Sequence, residues 1–153
     1  MWQTLFDIAN VIALIGGALL ILLPRREGVL HVVLYGAVGL LCACYLVMLV
    51  SLVGNLVDPM PAAGAPPAPD FEYSVQGLMA MFRSEGAIVV GWTHYLALDL
   101  MTGLWIARDA DRKGVGRVVQ VPFLLATFMA GPAGLFGWLV ARAFLRGDTD
   151  GAG

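Results

Sequence analysis

The sequence predicts an all-α membrane protein: four transmembrane helices, with a Pro-rich loop and a short interfacial helix between the second and third. Three observations carry that prediction. Of 153 residues, 59% are hydrophobic and 13% charged, with a mean hydropathy of +0.82; a soluble domain runs at about 45–50% apolar and about 25% charged. Four apolar runs each reach the roughly 20 residues that cross a hydrocarbon core about 30 Å thick. Most basic residues fall in the short segments between these runs. The net charge of −2 gives no basic surface for nucleic acid.

The first run, "LFDIANVIALIGGALLILL", covers 5–23. It lacks the basic start and small-residue cleavage site of a signal peptide, and carries Asp7 early. The second, "VLHVVLYGAVGLLCACYLVMLVSLVG", covers 29–54 and contains both cysteines. Cys42 and Cys44 are two apart, about 200° around a helix, so they cannot bridge each other. They read as small packing hydrophobes. His31 lies shallow in this run, within reach of headgroups.

Residues 55–85 form the loop. Its Pro/Ala/Gly centre cannot continue a membrane helix and reads as a semi-rigid linker. Further on, Phe71, Val75, Leu78, Met79 and Phe82 recur at helical spacing, which predicts a short helix lying in the interface. The third run, "GAIVVGWTHYLALDLMTGLWIA", covers 86–107, and the fourth, "VVQVPFLLATFMAGPAGLFGWLVARAFL", covers 118–145. Proline removes a backbone donor and clashes with the preceding turn, so Gly131-Pro132 should kink the fourth helix. Gly131, Gly134 and Gly137 make a small-residue strip that permits close helix approach. The chain is a single domain, 1–153, without internal repeats.

Four crossings put Arg25, Arg26, Arg108, Arg112, Lys113 and Arg117 on one side, and Arg83, Arg142 and Arg146 on the other. The positive-inside rule then makes the two short basic loops cytoplasmic and both termini external, in what reads as a bacterial inner membrane.

The chemistry-bearing residues lie on the third run. Asp99 is nine residues from Arg108, about 13–14 Å of helix, which places it near the midplane. A central Asp costs about 2.5–3.5 kcal/mol to insert, so such groups are functional candidates. Trp92, Tyr95, Asp99 and Thr102 share one helical face. His94 begins another stripe that includes Trp105. His94 and Asp99 are about 140° apart and form no helical pair, yet could flank one pocket beside the Pro132 kink. The plain reading of His94 is a hydrogen bond to a neighbouring backbone carbonyl. There is no P-loop, GxGxxG, HExxH or Cys/His cluster, and no cofactor or metal is expected.

The segments "GWTHYLALDLMTGLWIARDA" and "VPFLLATFMAGPAGLFGWLV" resemble the abscisic-acid-deficient family, most strongly over 86–145. These are small four-helix membrane proteins that include the plant neoxanthin-synthase-like protein and bacterial relatives. The resemblance implies a role in carotenoid metabolism. In the plant conversion a 5,6-epoxide opens and an allene forms without net redox change, which calls for an acid and a base. It thus implies Asp99 as acid and His94 as base, with Trp92, Tyr95, Thr102, Trp105 and Pro132 around the substrate. Expected partners are membrane lipid and a carotenoid or related isoprenoid ligand, with a homo-oligomer or other carotenoid enzymes as assembly partners. Two readings stay open: an acid–base isomerase acting on a carotenoid end group, and a non-catalytic carotenoid-binding or assembly subunit.

Overall fold

The computed structural model describes residues 1–24, 26–64 and 73–145. The centre of the Pro-rich loop, with Phe71, lies outside the described residues. Among those described there are six helices: α1 (Trp2–Leu22), α2 (Glu27–Val53, π-helical over Val32–Val38), α3 (Val75–Met81), α4 (Glu85–Arg112), α5 (Arg117–Met129) and α6 (Gly131–Phe144).

Three of them, α1, α2 and α4, are long and apolar enough to cross a membrane, at 21, 27 and 28 residues. They pack against one another with α4 central. Leu20, Val33, Leu41, Leu100, Leu104 and Trp138 form the main core, and Trp2, Met48, Val89 and Val90 a second one toward the other end. Outward-facing Leu14, Tyr35, Val47, Val53 and Phe136 are exposed, as expected of surfaces that face lipid chains.

Local signals set the helix ends. Ser74 caps α3 by accepting the Gly77 N–H at 3.0 Å, and Ser84 caps α4 by accepting that of Ala87 at 3.3 Å. The loop is strapped to this end of the bundle. Ala62 donates to the Arg83 carbonyl, Glu85 to that of Met60 and Gly86 to that of Pro59. The Trp2 indole donates to the Asp58 carbonyl at 2.9 Å, so the start of α1 lies at the same end. The short helix expected between the second and third runs is present as α3.

The fourth predicted span, 118–145, is not one crossing. It breaks at Ala130 (φ −158°, ψ 80°) into α5 and α6, of 13 and 14 residues. Each is about 20 Å long, too short for a core of about 30 Å. The two fold back on each other. The Phe123 and Trp138 rings meet at 5.5 Å, Gly137 approaches Phe123, and Gly134 lies directly against the Thr127 backbone. Pairs whose numbers sum to about 261 define a helical hairpin with its tip at Ala130–Gly131.

Contacts with α4 fix its depth. Gln120 donates to Asp111 at 3.1 Å, Phe128 packs on Gly103, and Gly131 meets Asp99. Returning along α6, the Trp138 indole and Arg142 both donate to Asp109, at 2.9 and 3.0 Å. The hairpin thus enters from the end where α4 finishes, turns beside Asp99 and goes back. At that end Arg117 donates to the Ile21 and Leu23 carbonyls, satisfying acceptors left open at the α1 C-terminus.

This corrects the expectation that both termini share one side, because Trp2 and Phe144 lie at opposite ends of the bundle. It also moves Arg142. Among the described residues, Arg26, Arg108, Arg112, Lys113, Arg117 and Arg142 now lie at one end and Arg83 alone at the other. The charge asymmetry is sharper than four crossings gave.

Candidate functional site

Toward the Arg83 end, residues of α2, α3 and α4 line a half-open pocket, the chamber, of about 710 Å³. Its α2 wall is Tyr45, Leu49, Leu52 and Val53, and its α4 wall Ala87, Val90, Gly91, His94 and Tyr95. Ala80, Met81, Phe82, Asn55, Pro59, Pro61, Arg83 and Ser84 complete its lining. The lining is mostly apolar with a few polar groups, the usual make-up of a small-molecule site.

His94 lines this pocket and is exposed. It is nine residues from the start of α4, about 13–14 Å down the helix axis. Its ring stands 5.5 Å from that of Tyr45 and 6.1 Å from that of Tyr95. Tyr45, from α2, brings a second ring to the imidazole. Sequence reasoning missed Tyr45, because one aromatic in a long apolar run carries no signal until its facing helix is known. Arg83 and Ser84 were likewise read only as loop.

The other expected site residues disperse. Asp99 is half-buried at the hairpin tip and accepts the backbone N–H of Gly131, the first residue of α6. Pro132 follows at that helix start, exposed. Trp92 turns toward α1, donating to Asn10 at 3.1 Å with its ring 5.7 Å from Phe6. Thr102 returns its hydroxyl proton to the Leu98 carbonyl at 2.8 Å. Trp105 lies under the Arg142 guanidinium, 5.5 Å from ring centroid to carbon. Of the expected set, the chamber gathers His94 and Tyr95 and leaves the others outside.

The expected acid and base therefore do not share a pocket. The reason is the 140° between them: α2 fills the sector that His94 faces, and the hairpin tip fills that of Asp99. The fourth run contributes nothing to the chamber wall among the described lining residues.

Asp99 has a structural occupation that answers its insertion cost. A helix starting inside hydrocarbon presents backbone donors with no water to satisfy them. It also presents the positive end of its dipole. A carboxyl group accepting the first of those N–H groups meets both demands.

Searches of curated proteins and of solved structures find no match to the chain. A family model does match, over residues 4–138, which takes in α1 through most of α6 and therefore both the chamber and the hairpin. This three-span bundle with its half-depth hairpin belongs to the ABA DEFICIENT 4-like family.

Proposed function

We propose that the protein binds the end group of a carotenoid or related isoprenoid in the chamber and isomerises it by non-redox acid–base chemistry centred on His94. The observation that carries this reading is the imidazole beside the Tyr45 ring in a mostly apolar pocket. Family membership supports the carotenoid connection. A chamber of about 710 Å³ falls within the roughly 300–1,000 Å³ of small-molecule sites, enough for an end ring and part of its chain.

In an epoxide-to-allene conversion, His94 would accept the vinylic proton while the Tyr45 hydroxyl protonates the epoxide oxygen as its C–O bond breaks. The imidazolium then returns its proton to the phenolate, so no electron or proton is gained or lost overall. The acid role that the resemblance gave to Asp99 passes to Tyr45 in this scheme, since Asp99 is engaged at Gly131. General acid–base groups contribute about 10²–10⁴-fold.

A second reading, binding without catalysis, is favoured by one observation: the described lining holds one imidazole and no carboxylate. We propose further that the protein lies in a bacterial inner membrane with its basic end cytoplasmic, so the start of α1 is external and the end of α6 internal.

Pigment extraction from a carotenoid-producing bacterial host decides between the readings. In the catalytic case the wild type yields a converted pigment, while His94→Gln and Tyr45→Phe insert normally and leave the precursor unconverted. Wild-type protein that copurifies with unaltered pigment establishes binding alone. Neither conversion nor retained pigment refutes both.

A further inference from the structure

The charge of the pocket is concentrated in one side chain. Among the described lining residues Arg83 is the charged one, and no carboxylate joins it there. It is also the one basic residue described at this end of the bundle, where Asp7, Asp58 and Glu85 are acidic. None of the described carboxylates pairs with its guanidinium. Asp58, the acid nearest the strap, is engaged by the Met60 N–H at 2.8 Å.

The backbone that carries Arg83 is tied down while its side chain is exposed. Its carbonyl accepts the Ala62 N–H at 2.8 Å, and its own N–H donates to the Ala80 carbonyl at 3.2 Å. Ser84, next in the chain, caps α4. A fixed corner therefore presents a planar fork of donors whose geometry matches a carboxylate.

His94 follows eleven residues after Arg83, about 15 Å away along α4. That is the hydrocarbon depth of one leaflet, half of a core about 30 Å thick. Between the two, Ala87, Val90 and Gly91 form one apolar wall and Leu49, Leu52 and Val53 the other. The pocket thus runs from a cation at the level where α4 begins, past one chain length of apolar surface, to the imidazole. Its open side suits a chain that keeps one flank in lipid.

We propose that Arg83 is a head-group subsite, and that the ligand is a single-chain amphiphile with a carboxylate at Arg83 and an isoprenoid chain reaching His94. This rests on the reading of the pocket as a ligand site. It narrows the isoprenoid of that reading to one about a leaflet long, with an anionic head at the end remote from the reacting group.

Parinaric acid, a straight-chain conjugated tetraene, and its methyl ester test the subsite on the full chain in phosphatidylcholine nanodiscs. Binding is read by energy transfer from tryptophan, at alkaline pH so that the carboxyl is ionised, with empty discs as the partitioning control. The wild type should bind the acid about tenfold more tightly than the ester, toward the low end for a hydrogen bond to a charged group because Arg83 is exposed. Arg83→Gln should bind the acid no better than the ester, and Arg83→Lys should keep part of the preference. Equal binding of acid and ester by the wild type, or an undiminished preference in Arg83→Gln, overturns the subsite. In discs containing phosphatidylglycerol the wild-type preference should persist; its loss assigns Arg83 to bulk lipid headgroups and overturns the single-chain ligand. Ala87→Phe, which fills the apolar wall, separates the two failures. If it binds both probes as the wild type does, the pocket reading fails and the subsite with it. If it weakens both while the wild type does not distinguish them, the subsite alone fails.

Discussion

Replacing Asp99 by Asn and by Ala should separate its bond to Gly131 from its charge. Asp99→Ala removes the acceptor of the Gly131 N–H and leaves that donor at the tip of a half-depth hairpin. Loss of an N-terminal cap costs about 0.5–2 kcal/mol, and an unsatisfied buried donor about 1–3 kcal/mol. These terms overlap, because both count the same N–H. Any charge in hydrocarbon acts in the other direction, with an insertion cost of about 2.5–3.5 kcal/mol that Ala would relieve. The wild type-to-Ala difference is therefore a poor reporter, with two effects of similar size opposed in it.

The Asn-to-Ala difference is a good one. Asn keeps an acceptor oxygen in nearly the same place and carries no charge, so the charge term drops out. That difference should be about 1–3 kcal/mol in favour of Asn, or several degrees in midpoint at about 2–4 °C per kcal/mol for a chain of this size. Thermal unfolding in detergent, followed by loss of the monodisperse peak in gel filtration, measures it. If Asn and Ala unfold together, Asp99 does not hold the hairpin tip and the explanation for its place in the membrane is wrong.

Further consequences follow from the hairpin and its closure. Gly134→Ala puts a methyl group into the Thr127 backbone, which cannot swing aside, and should cost at least the roughly 1–3 kcal/mol of an overpacked core, read as a lower unfolding midpoint. Gly137→Ala, whose methyl group would meet the Phe123 ring at an ordinary 3.4 Å, should be near neutral in the same assay. Asp109→Ala should destabilise more than Arg142→Ala, because Asp109 accepts from both Trp138 and Arg142; equal midpoints would deny the shared anchor. Impermeant thiol labelling, in a Cys42→Ala/Cys44→Ala background, should modify Ala62→Cys in intact cells and Leu145→Cys only after lysis. Labelling of both in intact cells would restore a fourth crossing.

Three spans were legible because length and hydropathy suffice for a helix that crosses once. The runs 5–23, 29–54 and 86–107 correspond to Trp2–Leu22, Glu27–Val53 and Glu85–Arg112. The 71–85 pattern likewise gave α3, since amphipathic spacing survives in a short helix. The fourth run failed for a physical reason. Hydropathy counts how much chain is apolar and carries no information on direction, so a mostly apolar run of 28 residues satisfies one crossing or a hairpin equally well. The distinguishing signals were present in Gly131-Pro132 and in the strip Gly131, Gly134 and Gly137. A kink and a reversal share the first signal. The second becomes specific only when the partner is known to be Thr127 of the same run.

The site was legible at the level of residue type and opaque at the level of pairing. His94 stood out because imidazole in hydrocarbon is rare, and it does line the chamber. Asp99 stood out by the same logic, yet insertion cost marks a residue as needing a purpose without saying which. Its angle from His94 already forbade a direct pair along α4. Whether the two could still meet around a ligand depended on what filled the sectors between them, and that is tertiary information. Once α5 and α6 form a hairpin, the tip claims the sector of Asp99, and a broken helix in hydrocarbon demands a cap. The same reversal leaves His94 to find its partner on α2, where Tyr45 is the polar residue that the chamber provides. The hairpin thus accounts for two departures from expectation, the end at which α6 finishes and the separation of Asp99 from His94. Restoring Asp99 to the reaction would require the hairpin tip to leave it, so that stability and activity could not change independently at that position. Asp99→Asn that converts pigment normally, beside Asp99→Ala that unfolds early, would complete the assignment; unconverted pigment from a stable Asp99→Asn would return the carboxyl to the chemistry.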